Sequence, residues 1–160
     1  VTIASRLLIR LLLVFWASWF SIVCLSNVTD LLREAGVLPP SFRFYSGNFS
    51  LVADSVGLYA VPRVGAGILF LLVLVFQLSA AALFWRASLE PEPTAPHAHP
   101  KILLPFIVGI ALFAGFVLFD EVLVLYRRLP GLERTHFIIL GALLLSLLLI
   151  GTQQKDRSGD

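Results

Sequence analysis

The sequence predicts an all-α membrane protein: four transmembrane helices in an antiparallel bundle, with a structured cap between spans 1 and 2. Three observations carry that prediction. At 160 residues the chain has the length of one domain, yet 58% of it is hydrophobic and only 14% is charged. Soluble domains are roughly half apolar and a quarter charged, and a soluble chain this short could not hide so much apolar surface. Second, four uncharged runs approach the roughly 20 residues that cross a hydrocarbon core of about 30 Å. Third, none of the runs alternates as a β-barrel strand does, and unpaired backbone groups are so costly in lipid that each run should be helical.

Span 1 is placed at about 7–25, within the uncharged stretch Leu11–Thr29 that follows Arg6 and Arg10. Its Arg-flanked start resembles a signal peptide, but no small-x-small site follows. Val23 before Cys24 also argues against lipoprotein processing, so an uncleaved anchor is expected. Span 2 is Val64–Trp85, uncharged throughout. Span 3 covers about 102–126: Ile102–Phe119 is uncharged, and the run continues past Asp120 and Glu121 to Tyr126. Span 4, about 134–151, begins near Arg134 and lacks charge from Phe137 to Gln154. Pro105 is expected one turn inside span 3, where a missing N–H costs little. Gly65, Gly67, Gly141 and the pair Ala111-x-x-x-Gly115 offer small surfaces for close helix approach. The chain contains no Met and begins at Val1, which suggests a missing initiator or a non-ATG start read literally, the latter hinting at a bacterial gene.

The connections are unequal. In the cap, 26–63, SNVTDLLREAG reads as a short helix capped by Asn27 or Thr29, with Asp30 near its N-terminus and Gly36 as its stop. SFRFYSGNFSLVADSVGLY follows, rich in aromatic residues around a Ser-Gly-Asn turn. The linker 86–101 contains EPEPTAPHAHP, proline-rich and extended; His97 and His99 lack the further ligands of a metal site. Connection 3, RRLPGLE, reads as a short hairpin turn, and the tail 152–160 is polar.

Four spans put both termini and the linker on one side. That side carries Arg6, Arg10, Arg86, Lys101, Lys155 and Arg157; the other carries Arg33, Arg43, Arg63, Arg127, Arg128 and Arg134. The positive-inside count is therefore a tie. Both lysines lie with the termini, and the opposite arginines have acidic neighbours that suggest ion pairing, so the termini are placed in the cytoplasm. The sequons Asn27-Val-Thr29 and Asn48-Phe-Ser50 are read as coincidental.

Asp120 and Glu121 are the unusual feature. Asp120 lies seven residues before Arg127, hence about 10 Å deeper along a helix axis. A bare charge at such depth costs at least a few kcal/mol, so partners from other segments are expected. Those available on that side are Arg63 at the start of span 2, Glu133, Arg134 and His136 at the start of span 4, Tyr126, and polar residues of the cap. Four readings compete. The leading one is an ion-paired network that sets Asp120 and Glu121 against Arg63 or Arg134. The second is a site for a lipid head group, quinone or pigment. The third is a metal site from Glu121 with the Glu-x-x-His pair Glu133 and His136, although di-metal bundles use more carboxylates. The last is proton or ion translocation, for which Gln77 is the clearest mid-membrane polar group. On span 1, Trp16, Trp19, Phe20 and Val23 share a face, as a packing stripe or a wall for a pigment or partner helix.

SNVTDLLREAGVLP, FYSGNFSLV, LFDEVLVLY and ERTHF together resemble a family of uncharacterised prokaryotic four-span integral membrane proteins. Those proteins have a Ser-Gly-Asn cap loop and an Asp-Glu pair before a Tyr at the end of span 3. The resemblance implies the architecture, and no activity.

The net charge of +2 and the absence of basic runs argue against nucleic acid, and the one cysteine, Cys24, excludes an intramolecular disulfide. Without a nucleophile–base pair, phosphate loop or metal tetrad, the sequence points to a non-catalytic accessory or structural subunit of a larger membrane complex, in contact with the lipid bilayer and other membrane-protein subunits. The alternative is a cofactor-, quinone- or metal-binding membrane enzyme or redox subunit with its site at the cap end; no particular cofactor is specified.

Overall fold

The computed structural model describes residues 3–93, 99–124 and 131–155. Five helices occur among them: α1 Ile3–Glu34, α2 Asn48–Gly57, α3 Arg63–Ser88, α4 His99–Val122 and α5 Leu132–Lys155. No strand forms among the described residues. The helices α1, α3, α4 and α5 are each long and apolar enough to cross a membrane. Their outward side chains, including Ile22, Leu25, Ile68, Leu78, Leu118 and Leu148, are exposed as lipid contact requires. This is the profile of an integral membrane protein.

Lipid tails are as apolar as leucine, so close packing and interhelical hydrogen bonds must hold such helices together. α1 packs along α3, α3 along α4, and α4 along α5, while α2 lies against α3 and α1. Alanines do much of the work between α1 and α3: Ala17, Ala80, Ala81 and Ala87 are buried. An aromatic core fills the centre. Phe20 stacks on Phe84 at 5.6 Å, and Phe84 meets Phe106 edge-on at 4.9 Å. Trp16 Nε1 donates to Ser146 Oγ at 3.0 Å, tying α1 to α5. A smaller core beneath α2 joins Cys24, Phe49, Phe70 and Leu74.

Between helices, Gly109 permits close approach, as an added Cβ would lie 3.1 Å from Phe20 Cζ and 3.4 Å from the Leu143 methyls, while at Gly65 it would lie 2.8 Å from Val61 just before α3. At Gly67, Gly115 and Gly141, which the sequence suggests as packing surfaces, a Cβ would meet nothing within 4 Å. A small residue permits contact but does not create it.

Three local features differ from the sequence reading. At the end of span 3, α4 stops at Val122 and Val124 takes φ +52° instead of continuing the helix; the other two concern α1 and Pro105. Residues 26–34 form no separately capped helix; they continue α1 without a break. No Gly or Pro interrupts Val23–Ala35, and the expected caps are engaged otherwise. The Thr29 hydroxyl has the Ser26 carbonyl of its own helix and the Phe44 carbonyl within hydrogen-bond reach, and Asn27 reaches α3. The expected stop at Gly36 is real. It adopts φ +72°, Val37 N–H bonds the Leu32 carbonyl and Gly36 N–H that of Arg33, which is a Schellman closure. The third difference concerns Pro105: α4 begins at His99, so this proline lies deeper than one turn inside the helix and removes a hydrogen bond to the Lys101 carbonyl.

Asp30, on α1, organises the following segment. Its Oδ2 accepts from Phe49 N–H at 2.8 Å and Ser46 Oγ at 3.0 Å, supplying the first turn of α2 with a carboxylate where free N–H groups converge. Gly47, at φ +75°, makes the preceding turn. At the other end of α2, Tyr59 OH donates to the Leu123 carbonyl at 2.9 Å, attaching the connection to the end of α4. Tyr126, Arg127, Arg128, Pro130 and His97 lie outside the described residues.

Candidate functional site

The last turns of α4 place Phe116 and Asp120 on one face, four residues apart. Opposite them, the second turn of α5 presents His136. Its Nδ1 lies 2.6 Å from Asp120 Oδ2. The Asp120 side chain is 2% exposed and that of His136 15%. The imidazole also stacks on Phe116 at 4.8 Å with an interplanar angle of 28° and lies near Phe113. The ring is thus clamped by an aromatic face and a carboxylate. Its Nδ1 is engaged, leaving Nε2 as its remaining hydrogen-bonding atom.

The other expected members of the cluster are placed differently. Arg63 Nε donates to Glu34 Oε1 at 2.7 Å in an exposed pair. α3 begins beside the end of α1, so their terminal charges meet and Arg63 is spent away from Asp120. Arg134 is exposed, and among the described residues it makes no ion pair. Glu121 and Glu133 neighbour each other within electrostatic reach of Asp120. Among the described residues no three His, Cys, Asp or Glu side chains are grouped to hold a metal ion, so the suggested set Glu121, Glu133 and His136 does not form a ligand cluster.

A cleft of about 550 Å³ adjoins the Asp120–His136 pair. Its walls are largely apolar, with Trp19, Val23, Phe70, Phe76, Phe113 and Phe119 among them. Leu51, Val52 and Ser55 of α2 complete the lining on the side of the α1–α3 connection. Leu69, Leu72, Phe76, Ala111 and Gly115 border it from the outer surface, so it opens sideways, between α3 and α4, toward the position of acyl chains. The Ala111/Gly115 step leaves this space empty rather than admitting a neighbouring helix. Of the aromatic stripe on α1, Trp16 and Phe20 are core, whereas Trp19 and Val23 face the cleft.

A second polar edge faces the same space. Asn48 Nδ2 donates to Asn27 Oδ1 and Asn27 Nδ2 to Gln77 Oε1, each at 2.9 Å. This carboxamide relay joins α2, α1 and α3, and all three residues line the cleft. The sequence isolates Gln77 but not its partners. The available signal was that a carboxamide deep in an apolar helix needs a polar group at matching depth on a neighbour, and Asn27 qualifies once α1 is extended to Glu34. Chemically, the site combines a carboxylate-oriented imidazole, neutral amides and aromatic walls. The imidazole can accept or donate a hydrogen bond to a guest, according to its proton.

Comparisons with protein-family models, curated proteins and solved structures returned no match to this chain.

Proposed function

We propose that this protein is a non-catalytic accessory subunit of a membrane complex that holds a lipophilic small molecule in a cleft within the bilayer. In this reading the four spans run as an antiparallel bundle in a bacterial cytoplasmic membrane, with both termini cytoplasmic. The 26–63 segment caps the ligand end, as in the four-span family that the sequence resembles. The observation that carries the reading is the cleft. At about 550 Å³ it has the size of a small-molecule site, largely apolar with a few placed polar groups. A purely structural ion-pair network accounts for Asp120 and His136 but leaves the adjoining space and its carboxamide edge unexplained.

The test is purification in mild detergent followed by native mass spectrometry and organic extraction. The expected result is one lipophilic molecule per chain, lost in Gly115→Leu, which fills the cleft without displacing a packed neighbour. Equal extracts from the native chain and that variant would overturn the binding role. Pull-down from native membranes should recover a fixed set of membrane subunits; an isolated monomer that recovers nothing overturns the subunit role.

A further inference from the structure

We infer that the guest of the cleft is a quinone-class molecule: an uncharged, planar ring with an oxygen at each end and a lipophilic tail. The inference rests on the binding role proposed above and names its ligand class. Charge is the first constraint. Among the described residues no Lys or Arg lines the cleft, and the ionisable groups that do, Asp120 and His136, are paired with each other. A phosphate or carboxylate head group finds no cationic partner among those residues, and an ammonium finds only a carboxylate already engaged by the imidazole. The matching head group is therefore neutral.

The arrangement of polar groups is the second constraint. They form two separate edges: His136 beside Asp120 on α4 and α5, and the Asn48–Asn27–Gln77 relay on α2, α1 and α3. A guest reaching both needs hydrogen-bonding groups at two ends. With Nδ1–H donated to Asp120, the neutral ring offers the Nε2 lone pair to a hydroxyl; a ring that has gained a proton offers Nε2–H to a carbonyl. On the far side, Gln77 Oε1 accepts from Asn27, and among the described residues no acceptor takes its amide N–H groups. A quinone, with two carbonyls, and a quinol, with two hydroxyls, both fit this adaptable imidazole. Between the edges, Trp19, Phe70, Phe113 and Phe116 provide faces for a flat ring. The lateral mouth at Leu72, Ala111 and Gly115 directs a tail into the acyl region. No electron transfer is part of the assignment; the site binds.

Trp19 supplies the readout. Titrating the purified full chain in detergent with a decyl-tailed benzoquinone, and separately with its quinol, should quench tryptophan fluorescence saturably at one equivalent. Affinity should fall about tenfold or more in His136→Ala, be partly retained in His136→Gln, and be lost in Gly115→Leu. Circular dichroism and melting establish that each variant is folded. Non-saturating quenching, identical in the native chain and both folded His136 variants, overturns the quinone assignment. The two proposals fail separately. If Gly115→Leu removes a co-purified lipid that the benzoquinone does not displace, the cleft binds and the ligand class is wrong. If nothing co-purifies and nothing saturates, the binding role falls as well.

Discussion

His136→Leu isolates what the Asp120–His136 pair contributes to the bundle. Asp120 is 2% exposed, and the variant leaves its carboxylate without the 2.6 Å contact to Nδ1. Removing one partner of a buried charged pair costs about 3–5 kcal/mol. The expected loss is therefore in that range, about 3–5 kcal/mol. Asp120→Leu is milder, because it orphans a neutral imidazole N–H rather than a charge, at about 1–3 kcal/mol. The double variant replaces both groups with apolar side chains, which is often close to neutral for a buried pair. It should therefore be more stable than His136→Leu alone. Reversible unfolding in mixed mild-detergent and dodecyl sulfate micelles, followed by circular dichroism, gives all four free energies. Additive losses, or a double variant less stable than His136→Leu, would refute the argument that the histidine is there to compensate a buried carboxylate.

Two further substitutions test the packing that surrounds the site. Asp30→Ala removes the acceptor for Phe49 N–H and Ser46 Oγ; it should cost about 1–2 kcal/mol and speed tryptic cleavage after the exposed Arg43, with Asp30→Asn milder in both. Gly109→Ala and Gly115→Ala make the same chemical change six residues apart on α4 with opposite expected signs. The first drives a Cβ to 3.1 Å from Phe20 Cζ and should lower the melting temperature, overpacking costing about 1–3 kcal/mol. The second enters open space and should raise it through helix propensity, by up to about 1 kcal/mol.

The spans were legible because a single physical length governs them: bilayer thickness sets a minimum run of uncharged residues, and that run can be counted in one dimension. Their ends were less so. α1 runs from Ile3 to Glu34 because Asn27 and Thr29, which suit a helix cap locally, find better partners in the helix, at the Phe44 carbonyl or on α3. That outcome depends on tertiary neighbours. The acidic pair was visible as an anomaly, and His136 stood among its possible partners together with Arg63 and Arg134. Charge favours either arginine, but the pairing was decided by helix register. α3 starts beside the end of α1, which occupies Arg63 with Glu34, whereas the packing of α5 against α4 brings residues 120 and 136 face to face. The cleft itself was illegible, since the small residues that border it read in sequence as a packing surface.

Polar contacts inside this protein divide by what remains after they form. Interhelical hydrogen bonds within a bilayer are weak, averaging about 0.6 kcal/mol, so their main contribution is to fix which helices meet and in what register. Trp16 with Ser146 does this and ends there: the indole has one donor, and the Ser146 hydroxyl proton goes to the Ala142 carbonyl. Asp30 does it for α2, its Oδ2 accepting from both the Phe49 N–H and the Ser46 hydroxyl. The groups around the cleft are different. His136 keeps Nε2, and Gln77 keeps its amide N–H groups, after each has made the bond that sets its register. Capacity left over in a low-dielectric interior is costly unless something uses it, and here both remainders line the same space with no partner among the described residues. In the proposed reading, that coincidence, more than the presence of an acid or a histidine, separates a binding site from a structural staple.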